Sequence, residues 1–451
     1  MTPSTAWLVI TCRKMGAAMG KFKEIHQNPV PENIPGRNNI LRADLNNGAR
    51  LLSFRNPSSP AVVIRGYLNC GAFAESVEKL GTASLTASML MAGTNTHSFK
   101  ALNAGIESIG ASLYLGAGAL QTTFAGQCLR EDLPKLLATL IEVVDTPTFP
   151  QTQFGRYKMQ TLTMLAIQAQ DSFDQADLAF NRLFYRDHPY AQPQTGTFQT
   201  VQSLTREDLV EFHERFFGPK DMAIAIVGGI QPEEAYQICQ DTLGTWTRPN
   251  QNALPALPAF LPPQKAQREH IPLEEKSQTD LLIGTLAPES MSRDYYACSI
   301  GNNILGQFGM MGRLGNSVRE KAGLAYSIQS DLGGGIGPMP WLIAAGVNPD
   351  NLEKALRLIR KELERFLSQP VTAAELKNSK TQMVGRIPLS LESNSGIANA
   401  LLSIEKYGLS LDYFIELPAI LESISQEEIL DAARRYWDLE NLVITSSGRA
   451  Y

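Results

Sequence analysis

The stretch SLTREDLVEFHERFFGPKDMAI, Ser203–Ile224, returns 220 residues later without a gap as SISQEEILDAARRYWDLENLVI, Ser423–Ile444. In each copy a hydroxyl residue stands three positions before an acid, Thr205 before Asp208 and Ser425 before Glu428. That spacing lets the hydroxyl and the carboxylate cap the free N–H groups at a helix start. Upstream, LPKLLATLIEVV from Leu133 matches LEKALRLIRKEL from Leu352 at an offset of 219. Amphipathic helices resemble one another by chance, but chance does not hold two matches at nearly one offset. The spacing implies duplication of a whole domain.

Between the copies, the segment from Thr245 to His270 contains Pro249, Pro255, Pro258, Pro262 and Pro263. Proline at that density disfavours helix and central strand and makes a semi-rigid linker. The chain therefore divides into an extended lead-in at 1–42, a first domain at 43–245, the proline-rich linker at 246–270 and a second domain at 271–451. Short β-branched runs bounded by Gly, Pro or Asn predict strands at Ala61–Asn69, Met222–Gly229, Leu281–Ala287 and Leu442–Ser446. Asn348 and Pro349 open a helix whose apolar stripe is Leu352, Leu356, Ile359, Leu363 and Phe366. The expected fold is α+β: two homologous domains, each a mainly antiparallel sheet covered by long helices.

Composition narrows the function. The 451 residues are 43% hydrophobic, enough for a large core. Forty basic residues against forty-five acidic ones give a net charge of −5, so no global positive field exists to attract nucleic acid or anionic lipid. No apolar run is long enough to predict a membrane-spanning helix. The five cysteines are odd in number and scattered, with no C-x-x-C pair, which argues against a disulfide framework and favours a reducing, cytoplasmic setting. The apolar stretch Ala6–Cys12 leaves secretion open, although it is short for a secretory signal and lacks a preceding Lys or Arg, which weigh against it; Met15 or Met19 are alternative starts. The five histidines stand at 26, 97, 188, 213 and 270, with no two close enough to grip a metal from one helical turn. His26, His97 and His270 sit in polar segments and are expected to face solvent. His188 and His213 are expected to serve packing.

The segment GTASLTASMLMAGT, Gly81–Thr94, resembles the pitrilysin and mitochondrial-processing-peptidase family. In that family a G-T-A-H-x-x-E-H-M-L-x-x-G-T helix carries two zinc-binding histidines, and the Glu between them activates the zinc-bound water. This chain keeps Gly81, Thr82, Ala83, Met89, Leu90, Gly93 and Thr94, but the three working positions are Ser84, Ala87 and Ser88. The family's third ligand, a Glu about 75 residues on, falls near Leu165 with Thr163 and Met164, and no Glu occurs between Glu142 and Glu207. The resemblance therefore implies no metal held by this chain.

In the second half GRLGNSVREKAGLAYSIQS, Gly312–Ser330, resembles the same family's C-terminal signature, in which an Arg and a Tyr seven residues apart face the zinc across a cleft. The matching residues are Arg319 and Tyr326. By resemblance, Tyr326 donates to the substrate carbonyl as charge develops there and Arg319 binds peptide backbone. The alternative is that Arg319 pairs with nearby acids and Tyr326 fills core space. Gly306, Gly309 and Gly312 match the family's glycine-rich turn, where backbone can approach a substrate or partner closely. They lack the order and the following Lys of a nucleotide loop. Gly333–Gly335 with Gly337 and Pro338 predict a hairpin tip.

A degenerate metal motif beside an intact Arg/Tyr motif points to the non-catalytic subunit of a heterodimeric zinc endopeptidase acting on small peptides. A zinc-bearing homologous subunit would then be the partner and hold the metal. The alternative is a scaffold or peptide-binding protein similar to the core subunits of the respiratory cytochrome complex. An autonomous enzyme with a different metal site is a third reading.

Overall fold

Thr205 accepts a hydrogen bond from the backbone of Asp208 and Ser425 from that of Glu428, and each acid caps back, so both repeats open on the reciprocal cap that their spacing predicts. A computed structural model describes residues 34–449. The apolar stretch Ala6–Cys12, the alternative starts and His26 lie outside these residues.

The first half runs β1 (Ile40–Asp44), β2 (Arg50–Arg55), β3 (Ala61–Leu68), α1 (Thr82–Met89), α2 (Phe99–Glu107), β4 (Ser112–Ala117) and β5 (Thr122–Leu129). It continues through α3 (Leu133–Asp145), α4 (Gln151–Gln168), α5 (Ser172–Tyr185), α6 (Phe198–Ser203), α7 (Arg206–Phe216), β6 (Ala223–Gly228) and α8 (Pro232–Asp241). The second half has β7 (Gln267–Pro272), β8 (Thr279–Leu286), α9 (Arg293–Gly306), β9 (Ala325–Leu332) and β10 (Pro340–Val347). Then come α10 (Leu352–Ser368), α11 (Ala373–Ser390), α12 (Asn394–Tyr407), α13 (Tyr413–Glu422), α14 (Gln426–Tyr436) and β11 (Val443–Gly448).

The two sheets have matching orders, β1-β2-β6-β3-β5-β4 and β7-β11-β8-β10-β9, and the first carries β1 as an additional edge. Both are mainly antiparallel, with one parallel pair each, β2 with β6 and β7 with β11. Two boundaries differ from the sequence reading. β1 begins at Ile40, inside the predicted lead-in, because Ile40–Asp44 pairs with β2. β7 begins at Gln267, inside the predicted linker, because it is held in parallel register by β11.

The core of the first half gathers Leu51, Ile64, Leu68, Met89, Leu136 and Ile226 between its sheet and α1, α3 and α7. In the second half the stripe of α10 buries Leu352, Ile359, Leu363 and Phe366. What joins the halves is a reciprocal exchange. α5 leaves the first half and packs on β11, β8 and β7, whereas α12 leaves the second half and packs on β6, β3 and β2. Phe180 of α5 fits because Gly284 of β8 has no side chain; a β-carbon there would lie 2.5 Å from the Phe180 ring. Thr445 donates to the Ala176 carbonyl at 2.8 Å, and in the opposite exchange Asn394 donates to the Ala61 carbonyl at 3.0 Å. The linker joins the first of these contacts, with Phe260 packed on Phe184 and Tyr185.

Since each sheet is covered by the other half's helix, the halves form one cooperative unit. Phe180→Ala should cost about 3–5 kcal/mol, as expected for truncating a fully buried Phe. Calorimetry should show a single unfolding transition at lower temperature. Two separated transitions would contradict the coupling.

Candidate functional site

Gly81 starts α1 at φ +95°, and a β-carbon there would meet the Thr195 carbonyl at 2.7 Å, so only glycine fits without strain. Glu75 caps this helix end, accepting the N–H groups of Gly81 and Ala83. Burial pushes its carboxyl up to about 7, against the opposing pull of those two N–H groups. The helix packs against α4 and α7.

On α1 the side chains offer little chemistry. Ala87 is buried, and the exposed Ser88 hydroxyl donates to the Ser84 carbonyl at 2.8 Å, so it is bonded to its own helix. Leu165 is buried on α4, while Thr163 and Met164 are exposed. Two hydroxyls, a methyl and an alkyl chain do not form a donor set for zinc, which takes thiolate, imidazole or carboxylate. Among the described residues no group of three or more His, Cys, Asp and Glu side chains is placed to hold a metal ion.

Nor do the histidines gather. His188 is buried among Tyr185, Tyr190 and Phe260, with Nδ1 accepting the Tyr190 N–H at 3.2 Å. His213 is buried beside Phe149 and Phe217, and its Nε2–H donates to the Val144 carbonyl at 2.8 Å. His97 is half-exposed and pairs with Glu142 at 2.8 Å. His270 corrects the expectation of a solvent-facing side chain. It is half-buried in β7 with Nδ1 2.9 Å from the Ser446 hydroxyl, because the strand pairs directly with β11.

The second half holds a more complete arrangement. After α9 ends at Gly306, the chain makes a glycine-rich turn over Phe308–Leu314 that departs from helical geometry at Gly309, Met310, Met311 and Gly312. Gly312 is required twice, by φ +62° and by the Ile304 carbonyl 2.5 Å from where a β-carbon would stand. Met311 lies at φ +68°, uncommon for a residue with a side chain. A π-helical turn, Gly315–Lys321, follows and carries Arg319. Such turns are frequent at functional sites.

Two residues that the motif reading missed fix the start of this turn. Arg313, whose side chain is only 9% exposed, forms a two-pronged ion pair with Glu375 at 2.7 and 2.8 Å and lies over the Phe366 ring. Arg313 and the cap at Thr372 hold the Glu375 carboxyl down at about 2. The sequence signal for Glu375 was the helix-capping pattern Thr372-Ala-Ala-Glu375.

Tyr326 is not core: it is 65% exposed on β9, the edge strand of the second sheet. The β9–β10 register passes from Ser327 opposite Gly346 to Ala325 opposite Val347, leaving Tyr326 as the extra residue of a bulge. A bulge re-aims a side chain, and this one projects the phenol outward. Arg319 is partly exposed, and its one ion pair among the described residues is with adjacent Glu320 at 3.3 Å. Gly333–Gly337 form the β9–β10 hairpin tip, where Tyr190 donates to the Ile336 carbonyl at 2.6 Å.

Residues 50–197 match the family model described as insulinase (peptidase family M16), and residues 203–383 match that described as peptidase M16 inactive domain. The chain belongs to the M16 peptidase family. Among M16 relatives, an uncharacterized zinc protease of Mycobacterium leprae is 24% identical over 82% of this chain and 83% of its own. A crystal structure titled peptidase M16 inactive domain, from Pseudomonas fluorescens, superposes with a TM-score of 0.84 at 26% identity, over 92% of this chain and 98% of that one. The periplasmic protease PqqL of Escherichia coli shares the fold, with a TM-score of 0.78 at 13% identity, over 99% of this chain and 51% of that one. No helix among the described residues is long and apolar enough to cross a membrane. The fold is that of M16, residues 203–383 match the family's inactive domain, and α1 and α4 present no zinc donor set, a combination consistent with a non-catalytic M16 member.

The buried His213 gives the fold a defined acid sensitivity. Burial, reinforced by nearby Arg248, lowers its pKa to about 4 despite the Val144 carbonyl and Asp145. Because the unfolded histidine takes up a proton near pH 6.5, this group's stabilisation is complete above that pH and is lost as pH falls towards 4. The difference corresponds to about 3 kcal/mol. Denaturant titrations of His213→Phe should show a pH dependence weaker by that amount over this window. A slope equal to the parent's would contradict the assignment.

Proposed function

We propose that this chain is the zinc-free subunit of a heterodimeric M16 endopeptidase acting on small peptides, with Arg319 and Tyr326 contributing to substrate binding and transition-state stabilisation. The observation that carries the reading is a contrast within one chain. The α1 and α4 face has exchanged every metal-binding side chain for hydroxyl or alkyl groups, whereas Tyr326 stands outward from a bulge on an edge strand. A phenol placed there for packing would be buried; an exposed one is available to a ligand.

The partner would be a homologous subunit that binds zinc, and the metal would supply an activated water and polarise the scissile carbonyl. This chain's own work is different. The Tyr326 hydroxyl donates to the carbonyl oxygen as negative charge gathers there. The Arg319 guanidinium, with several N–H groups in a fixed plane, binds peptide carbonyls and orients the backbone. Arg313 and Glu375 position Arg319 by anchoring the start of its turn. Neither nucleic acid nor a membrane span belongs to the reading. Cys70, Cys128, Cys239 and Cys298 are free and buried, which fits a cytoplasmic setting.

The test mixes the purified chain with a zinc-bearing M16 homologue from the same organism and follows cleavage of a fluorogenic peptide. Each chain alone should be nearly inactive and the mixture active. Tyr326→Phe should lower kcat of the mixture by about a hundredfold, the usual cost of removing one oxyanion donor. Unchanged turnover would remove the catalytic role and favour the scaffold reading.

A further inference from the structure

We propose that Glu362 is a positioning residue for Arg319, a buried carboxylate on α10 that steadies the π-helical turn through the cations at its two ends. The proposal rests on the peptide-binding reading above and adds what fixes the guanidinium which that reading uses. Glu362 occupies a core position: it is 7% exposed and lies in the buried stripe of α10 between Ile359 and Phe366. An acid there is costly, because a charge taken out of water needs partners to replace it.

Those partners are incomplete. Among the described residues the Glu362 Oε1 is buried with no hydrogen bond, and the one ion pair of this carboxylate is with half-exposed Arg365, 3.8 Å from Oε2. Arg313 has the complementary defect: Nε and Nη2 are taken by Glu375, and Nη1 is buried without a partner. α10 packs on both the glycine-rich turn and the π-helical turn that follows it. Arg365 of α10, Arg313 just before the π-helical turn and Lys321 at its end all attract Glu362, while Glu375 of α11 repels it. Burial pushes the carboxyl above its ordinary range against the pull of those cations. In a buried setting such attraction acts beyond contact distance. A π-helical turn is an uncommon conformation, and here it is drawn towards α10 at both ends. Arg319 stands between them, and its own ion pair, with adjacent Glu320, ties it to nothing outside the turn.

The duplication supplies an internal comparison. At the offset of 219 that matches α10 to α3, Glu362 falls on Val143, which is fully buried. Its neighbours stay apolar, with Ile359 on Leu140 and Leu363 on Val144. An alkyl side chain therefore satisfies packing at this place. The acid occurs in the half that carries Arg319 and Tyr326, and among the described residues the first half has no π-helical turn.

The test compares the parent with Glu362→Leu and Glu362→Gln at about pH 8, where an ordinary or modestly raised carboxyl is ionised. Replacing a buried, poorly paired charge with an alkyl group is commonly neutral or stabilising, and Arg313 keeps Glu375, so the melting temperature of Glu362→Leu should hold or rise. In the isolated chain, hydrogen exchange should quicken about fivefold in both variants at the amides of Gly323 and Leu324, which donate to the Arg319 and Val318 carbonyls of the turn. In the mixture with a zinc-bearing homologue, KM for the fluorogenic peptide should rise about fivefold with kcat nearly unchanged, as loss of substrate binding requires. Glu362→Gln keeps the shape and a polar end, so a packing defect in the leucine variant does not decide the result. A lower melting temperature with parental exchange and KM would make Glu362 merely structural and overturn the proposal. Quickened exchange with parental KM in an active mixture would overturn its role in positioning Arg319. A parent mixture that cleaves no peptide would overturn the peptide reading instead, and exchange in the isolated chain then decides the tether by itself.

Discussion

Phe180 against the bare backbone of Gly284, and Asn394 against the carbonyl of Ala61, are the two crossings on which the molecule depends. Without α5 the second sheet would leave Leu282 and Val443 uncovered, and without α12 the first sheet would lose the cover on β3 and β6. The proline-rich linker is thus not a free hinge between independent domains. Its Phe260 is part of the same aromatic cluster as Phe184 and Tyr185. A duplicated chain built this way holds its two edge strands, β4 and β9, at fixed places on one body.

That rigidity lets chemistry be lost without loss of structure. α1 keeps the parts that make it a helix in its place, Gly81 in its left-handed conformation and Glu75 on its free N–H groups, although Ser84, Ala87 and Ser88 carry no metal chemistry. In the second half the corresponding supports, Arg313 on Glu375 and the positive-φ turn through Gly312, stand directly before Arg319 and Tyr326. The strand order is shared, and the asymmetry between the halves lies in side chains and in the turn and bulge that precede and shape β9.

Much of this was legible in the sequence. The repeated caps at Thr205 and Ser425 located the starts of two helices, because a cap is a local interaction whose partners lie three positions apart, and the β-branched runs after them located β6 and β11 to within two residues. The exchange of α5 and α12 was not legible, since an amphipathic helix has the same pattern whichever sheet it covers. His270 looked solvent-exposed because its neighbours are polar, but pairing with β11 brings it to Ser446. Spacing identified Arg319 and Tyr326, whereas the bulge that turns Tyr326 outward depends on register with Gly346 and Val347, 20 residues and a hairpin away. Arg313 with Glu375 is likewise a long-range pair, visible beforehand only as half of a helix cap.

The central claim is that zinc chemistry requires a second chain. Native mass spectrometry of this chain, purified together with a zinc-bearing M16 homologue, tests it most directly. The account predicts a mixed dimer holding one zinc ion, and a metal-free species for this chain alone. Stoichiometric zinc on the isolated chain, or failure to associate with any homologue, would contradict it.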